Sequence, residues 1–155
     1  MTGDPSPDPT LGREVRVTRV FRAPRELVFN AWIDADQVAA WMAPEGCEVP
    51  RESVQIEPRA GGRIHFSMVD PASGAVYCVR FEIVEIAAPE RLVLFSEPEP
   101  QLGLPNPMLT RVTFDLDGDG TRVTVTQGPH TDAMQREAEG GWLSSFDKLE
   151  RLVRS

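Results

Sequence analysis

The side chains that could bind a metal ion are widely spaced in this sequence. His65 and His130 are the two histidines of the chain, and neither has a Cys or His at the short spacing that zinc sites use. The segment from Asp115 to Gly120 resembles the start of a calcium-binding loop, but Thr126 stands where the bidentate Glu of such a loop is needed. The Asp and Gly residues of this segment therefore favour a hairpin turn, and the sequence predicts no metal cofactor.

Groups for covalent or acid–base catalysis are also sparse. The chain has no Gly-x-Ser-x-Gly elbow, phosphate-binding loop or dinucleotide-binding motif. Cys47 and Cys78 are predicted to be ordinary thiols, one in a loop and one on the outer face of a strand. Period-two alternation directs Tyr77 inward and directs Arg80 and Glu82 outward. A single inward hydroxyl favours a binding protein without a cofactor, and a cofactor-free cyclase or dehydratase is the enzymatic alternative.

Composition excludes further classes of protein. The 155 residues carry 16 Lys and Arg against 24 Asp and Glu, a formal net charge of −8. Such a chain lacks the cationic face that phosphate backbones require, so we expect no nucleic-acid partner. No stretch approaches the ~20 apolar residues of a membrane span, and the first residues do not resemble a signal peptide. We therefore expect a cytoplasmic protein.

The pattern of apolar residues predicts one α+β domain. Residues 1–12, rich in Pro and Asp, are predicted to be a disordered tail, and residues 13–155 a single domain. Alternation from residue 14 to 22 predicts a first strand, and two short helices follow, the second capped by Asp34 and Gln37. Six further strands and a long amphipathic helix complete the chain. This order indicates an antiparallel sheet with the last helix on one face.

The last helix is predicted to begin at a cap formed by Asp132 and Gln135. Gly140 and Gly141 lie within it, and each costs about 1 kcal/mol in a helix relative to Ala. Their presence predicts a bend or a close approach to the sheet. The face predicted to cover the sheet consists of Met134, Ala138, Trp142, Ser145, Leu149 and Val153.

Several short segments, taken together, resemble one protein superfamily. They keep its order and spacing over about residues 13–155, although each segment by itself is weakly specific. The segments are Val28-Phe-Asn-Ala-Trp-Ile-Asp34, Trp41 with Pro44, Glu57 to Gly62, Glu85 to Leu92, Gly120 to Thr126 and Gly141-Trp142. The chain is similar in these segments to the START-like (SRPBCC) superfamily, and within it to the homologue family of the activator of heat-shock-protein-90 ATPase.

The resemblance implies a fold and several possible functions. The fold is the helix-grip fold, a curved seven-stranded antiparallel sheet wrapped around the long C-terminal helix, with two short helices after the first strand. The implied function is non-catalytic binding of an apolar or amphipathic small molecule in the cavity between sheet and helix. The family name implies an alternative, a co-chaperone-like domain that acts on a heat-shock chaperone ATPase in the stress response.

Three positions depart from residues that are common in this family. Ser96 stands where Trp is frequent, Met42 where an aromatic residue is common, and Gln127 where His is often found. The exchanges at Ser96 and Met42 replace rings with smaller or more flexible groups, so we expect them to enlarge or soften the cavity. The exchange at Gln127 argues against transferring any function that depends on that histidine.

The inward-facing apolar and aromatic residues form the predicted ligand site. Apolar walls with a few polar groups are typical of small-molecule pockets, although a plain core position is the simpler interpretation for each residue taken singly. No catalytic, cofactor-binding or metal-binding residue is predicted. The predicted ligand-binding residues are Trp41, Phe66, Met68, Tyr77, Phe81, Ser96, Phe114, Trp142 and Phe146.

A Pro-rich connection spans residues 97–107. Its prolines prevent it from extending a strand ladder. Leu102, Leu104 and Met108 require an apolar surface, which is either the mouth of the cavity or a second copy of the chain. The sequence therefore leaves open a lid, a contact in a homodimer and a passive connector, in a protein that is a monomer or a homodimer.

Overall fold

The structure is a computed structural model that describes residues 13–99 and 106–154, so the predicted tail at residues 1–12 lies outside the described residues. Its strands are β1 (Arg13–Phe21), β2 (Gln55–Ile56), β3 (Arg63–Asp70), β4 (Ala75–Ala87), β5 (Arg91–Ser96), β6 (Met108–Asp117) and β7 (Gly120–His130). They form one seven-stranded antiparallel sheet in the order β1-β7-β6-β5-β4-β3-β2.

Three α-helices complete the described fold: α1 (Arg25–Asn30), α2 (Ala35–Trp41) and α3 (Asp132–Val153). The predicted cap of α2 is confirmed, because the Gln37 amide donates to the Asp34 carboxylate at 3.0 Å. The predicted cap of α3 is wrong by one residue: the Met134 amide donates to the Thr131 hydroxyl at 3.1 Å. Thr131 keeps extended backbone angles before the helix, as an N-cap residue must.

The order of elements confirms the predicted α+β helix-grip fold, with two short helices after the first strand and the long helix last. The acidic segment after β6 is the hairpin turn that its residues predict, since Asp117 pairs with Gly120 and Gly118 has a φ of 58°. No helix within residues 13–99 and 106–154 is long and apolar enough to cross a membrane.

Fully buried aromatic side chains form the centre of the core where α1 and α2 meet the sheet. The rings of Trp32 and Trp41 lie 4.8 Å apart between centroids, and Phe114 lies 6.0 Å from Trp32. Phe146 of α3 joins this cluster at 5.4 Å from Phe21. Each contact has tilted or edge-on geometry, which aromatic quadrupoles favour. The cluster therefore anchors the C-terminal half of α3 to the sheet.

The two halves of α3 are buried to different extents. Phe146, Leu149 and Val153 are buried in the core, and α3 packs mainly against β1 and α2. Met134, Ala138 and Trp142, in the N-terminal half, are half-buried. This half does not pack closely on β3 and β4, and the space between them is the cavity described below.

Of the bend and the close approach to the sheet that the glycine pair of α3 predicts, the close approach is not found. The helix runs from Asp132 to Val153 through both residues, and a Cβ built at Gly140 or Gly141 would meet no atom within 4 Å. The glycines instead leave open space at the side of the helix.

Candidate ligand-binding cavity

An apolar cavity of about 250 Å³, the inner chamber, lies between α3 and the inner face of the sheet. Its walls are contributed by α3, by β3 and β4, by β7 and by the segment after α2. The lining residues are Met42, Pro44, Phe66, Met68, Val79, Phe81, Gln127, His130, Met134, Glu137, Ala138, Gly141, Trp142 and Ser145.

A second space of about 690 Å³, the vestibule, adjoins the inner chamber. The two spaces are adjacent, since both are lined by Met68, Val79, Phe81, Met134 and Gly141, among others. The vestibule adds Cys47, Tyr77, Cys78, Arg80, Ser96, Glu99 and Gly140 to its lining.

Strand β4 explains why consecutive residues border the vestibule. Its pairing with β5 begins at Glu82, so residues 75–81 extend past the end of β5. Cys78 and Arg80, which alternation directs to the outer face, therefore line the vestibule together with Tyr77. Both Cys78 and Arg80 are exposed, and they border the vestibule at the end of the strand that has no β5 neighbour.

Gln127 organises the polar end of the inner chamber. Its Oε1 atom accepts a hydrogen bond from Trp142 Nε1 at 3.3 Å and lies 2.9 Å from His130 Nε2. Its Nε2 atom donates to Thr110 Oγ1 at 2.8 Å. Gln127, His130 and Thr110 are all buried. The network thus joins β6, β7 and α3 behind the apolar walls.

This network fixes the tautomer of His130. The indole N–H of Trp142 can only donate, so it requires the oxygen of the Gln127 amide at this position. The oxygen in turn requires a proton on His130 Nε2, which leaves Nδ1 as the bare acceptor when the ring is neutral. Burial lowers the pKa of His130 below its usual 6.5, so the neutral ring is the form at pH 7.

Two residues that line the chamber have a polar side-chain atom that makes no hydrogen bond with the described residues, and the atom of His130 is also inaccessible. His130 Nδ1 is inaccessible and makes no hydrogen bond. Ser145 is 3% exposed, and its hydroxyl makes no hydrogen bond within the described ranges. An unsatisfied buried group costs about 1–3 kcal/mol. The inner chamber therefore combines apolar walls with unused hydrogen-bonding capacity at one end.

The segment between α2 and β2 forms a wall that α3 holds in place. Lys148 Nζ donates to the carbonyl oxygens of Pro44 and Cys47 at 3.3 and 3.1 Å. Ser144 Oγ accepts from the Glu45 amide at 2.7 Å, and Arg151 pairs with the Glu45 carboxylate at 2.7 Å. Pro44 and Cys47 border the cavity, so these contacts fix the shape of its entrance.

Most of the predicted site residues border the cavity. Phe66 and Trp142 line the inner chamber, Tyr77 and Ser96 line the vestibule, and Met68 and Phe81 line both. Trp41, Phe114 and Phe146 are fully buried in the aromatic cluster and line neither space. Alternation and helical spacing indicate which face a side chain occupies, but not how deep in the core it lies. The sequence pattern therefore does not separate these three aromatics from the residues that line the cavity.

Other lining residues were not in the predicted set. His130 was considered as a metal ligand and not as a hydrogen-bonding group. The sequence pattern places Ser145 and Met134 on the helix face without a role in the cavity, and for Gly141 it predicts a bend or a close approach to the sheet. A signal was present in the sequence for Gly141, since paired glycines within a long helix lower its stability and need a reason.

The Pro-rich connection at residues 97–107 is described in part. Residues 100–105, with Leu102 and Leu104, lie outside the described residues. Met108 is buried at the start of β6, where it pairs with Ser96. Met108 is therefore part of the sheet and does not need the apolar surface that the sequence assigned to it.

Comparisons with known proteins agree with this architecture. The family model described as Activator of Hsp90 ATPase homolog 1-like protein matches residues 22–154. No curated protein sequence matches the chain at a significant level.

Solved structures with the same fold come from several bacteria. A protein from Chromobacterium violaceum is 28% identical, with 92% of this chain and 97% of that chain covered and a TM-score of 0.81. An AHSA1-like protein from Aeromonas hydrophila is 22% identical and has a TM-score of 0.73, with 91% of this chain and 92% of that chain covered. An AHSA1 protein from Silicibacter pomeroyi is 20% identical and has a TM-score of 0.73, with 90% of this chain and 96% of that chain covered.

Proposed function

This chain belongs to the family described as Activator of Hsp90 ATPase homolog 1-like protein, and we propose that it binds an apolar or amphipathic small molecule between α3 and the sheet without transforming it. The observation that carries the proposal is the inner chamber, whose walls are mainly apolar and which adjoins the vestibule. The vestibule volume of about 690 Å³ lies within the range of about 300–1,000 Å³ that is usual for small-ligand sites, and the inner-chamber volume of about 250 Å³ lies just below it.

The construction of α3 supports this proposal. Protein interiors are normally close-packed, because empty apolar space forfeits dispersion contacts. Where α3 borders the two spaces, it carries the small residues Ala138, Gly140 and Gly141. Larger side chains at these positions would fill the space and stabilise the chain. A void kept at a cost in stability is expected where a ligand occupies it.

The composition of the walls supports an apolar or amphipathic ligand. Met42, Met68 and Met134 line the inner chamber, and methionine side chains adapt to varied apolar shapes. Charged side chains lie toward the vestibule, where Arg80 and Glu99 form an ion pair at 3.5 Å. A ligand with an apolar body inside and a polar part near the vestibule matches this distribution.

Titration with N-phenyl-1-naphthylamine, an uncharged apolar fluorophore, tests the proposal. We expect saturable binding with one molecule per chain, as counted by native mass spectrometry. Ala138→Phe is expected to abolish binding, because Ala138 lines the inner chamber. Ala133→Phe is the matched control, since Ala133 is exposed on the same helix and borders neither space. Absence of saturable binding, or an equal loss in both variants, would contradict the proposal.

A second candidate function is that of a co-chaperone for a heat-shock chaperone ATPase. The observation that favours it is the family description matched over residues 22–154. ATP hydrolysis by a purified Hsp90 chaperone, measured with and without this chain, tests it. Stimulation that persists in Ala138→Phe would assign the effect to the surface of the chain, whereas no stimulation at saturating chain would exclude the function for that chaperone.

A further inference from the structure

The polar end of the inner chamber is built of side chains whose hydrogen-bonding capacity is not used within the chain. Ser145 is 3% exposed, lines the chamber, and has a hydroxyl without a partner in the described part of the chain. Its hydroxyl can both donate and accept a hydrogen bond. The inaccessible atoms without a partner do not include this oxygen, so it faces the space of the chamber, where a ligand can contact it.

The neighbouring side chain of Gln127 adds a donor. Gln127 Nε2 uses one N–H for Thr110, and its second N–H has no partner among the residues described. His130 Nδ1 has no partner either, but it is inaccessible and does not face the space of the chamber. A ligand group that both donates and accepts satisfies this set, which a hydroxyl does.

The charges around the chamber disfavour ionised ligands, above all anions. Among the described residues that line the inner chamber, none is Lys or Arg, and Glu137 is the one charged residue. Lys148 lies close to Pro44 but donates to backbone carbonyls. A carboxylate placed here would lose its hydration without gaining a cation.

We infer that the inner chamber selects an uncharged ligand that carries a hydroxyl group, such as an alcohol or a phenol, with Ser145 as the residue that determines this specificity. The inference rests on the proposed function, because it concerns the same cavity. It adds the polar group that the ligand must carry and excludes fatty acids and other carboxylates as preferred ligands.

Three ligands of nearly equal shape test this inference: 2-naphthol, 2-methylnaphthalene and 2-naphthoate, each measured by displacement of N-phenyl-1-naphthylamine. We expect 2-naphthol to bind about tenfold more tightly than 2-methylnaphthalene, as one or two net hydrogen bonds would produce. We expect 2-naphthoate to bind more weakly than both. Ser145→Ala is expected to remove the preference for 2-naphthol and to leave the affinity for 2-methylnaphthalene unchanged.

Ser67→Ala is the matched control, since it is the same substitution at a residue of β3 that lines neither the inner chamber nor the vestibule. Ser145→Cys is a second, nearly isosteric variant, which keeps the test valid if Ser145→Ala alters folding. Equal affinities for 2-naphthol and 2-methylnaphthalene in the unmodified chain, or a preference that survives both Ser145 variants, would overturn the inference while the proposed function stands. Absence of binding by all probes would overturn both.

Discussion

Replacing Gly141 with Leu would place an isobutyl group where α3 now leaves open space. Gly141 borders both the inner chamber and the vestibule, and a Cβ built on it meets no atom within 4 Å. The new side chain would therefore enter the cavity without displacing the helix. We expect the free energy of unfolding to rise and ligand binding to be lost in the same variant.

The size of the stabilisation follows from two contributions. Removing a glycine from a helix interior contributes about 0.8–1.0 kcal/mol. Burying the Leu side chain against the apolar walls adds up to about 1.5–3 kcal/mol, and less where the vestibule leaves it exposed. The total is about 1–4 kcal/mol, and each kcal/mol raises the unfolding midpoint by roughly 2–4 °C in a chain of this size.

Thermal and urea unfolding measure the stability, and titration with N-phenyl-1-naphthylamine measures the binding. Gly140→Leu is the matched control, because Gly140 is exposed and borders the vestibule but not the inner chamber. It is expected to gain mainly the helix-propensity contribution of about 1 kcal/mol and to keep most of its binding.

Two results would refute this reasoning about Gly141. A lower unfolding midpoint in Gly141→Leu would mean that the helix packs more closely there than the structure indicates. A higher midpoint with unchanged binding would mean that the fluorophore does not enter the space beside Gly141, and the ligand site would then have to be sought elsewhere.

Further substitutions probe the core, the histidines and the vestibule. Phe146→Ala should cost about 3–5 kcal/mol and Trp142→Ala less, because Phe146 is fully buried and Trp142 half-buried; equal urea midpoints would contradict this ranking. Burial lowers the pKa of His130, so the unfolded chain binds more protons and stability should fall as the pH drops through about 6.5. His130→Gln should reduce the dependence of stability on pH, measured by urea unfolding across that range. The pKa of His65 is also lowered, by burial and then by nearby arginines, so His65 contributes to this dependence with the same sign. If neither His130→Gln nor His65→Gln changes the dependence, the histidines are not its source. Ser96→Trp should weaken uptake of N-phenyl-1-naphthylamine with the fold intact, and unfolding of this variant would show that the vestibule is closely packed at Ser96.

Local chemistry in the sequence was sufficient for most of the fold. Alternation of apolar residues predicts the strands, because successive side chains of a strand face opposite sides of the sheet. The same rule places Phe66, Met68 and Phe81 on the inner face, where they border the cavity. Asp34 identifies the start of α2 because an N-cap carboxylate and the third helical amide are close in sequence.

The candidate site depends on distances that no local pattern contains. The sequence places Trp41, Phe114 and Phe146 on apolar faces just as it places Phe66, yet these three fill the core. Whether a side chain reaches a core or a cavity depends on how closely α3 approaches each strand. That spacing results from packing along the whole helix, with its C-terminal half anchored on the aromatic cluster and its N-terminal half held away from β3 and β4.

The sequence by itself determined the α+β class, the strand and helix order, and the face on which each apolar residue lies, since these follow from the periods of strand and helix. The tertiary structure decided the rest. It brought Gln127 and Trp142 within 3.3 Å, fixed the proton of His130, and left the Ser145 hydroxyl at a cavity wall. Hydrogen bonds and voids arise between residues distant in the chain, so they exist only when the sheet and α3 have assembled.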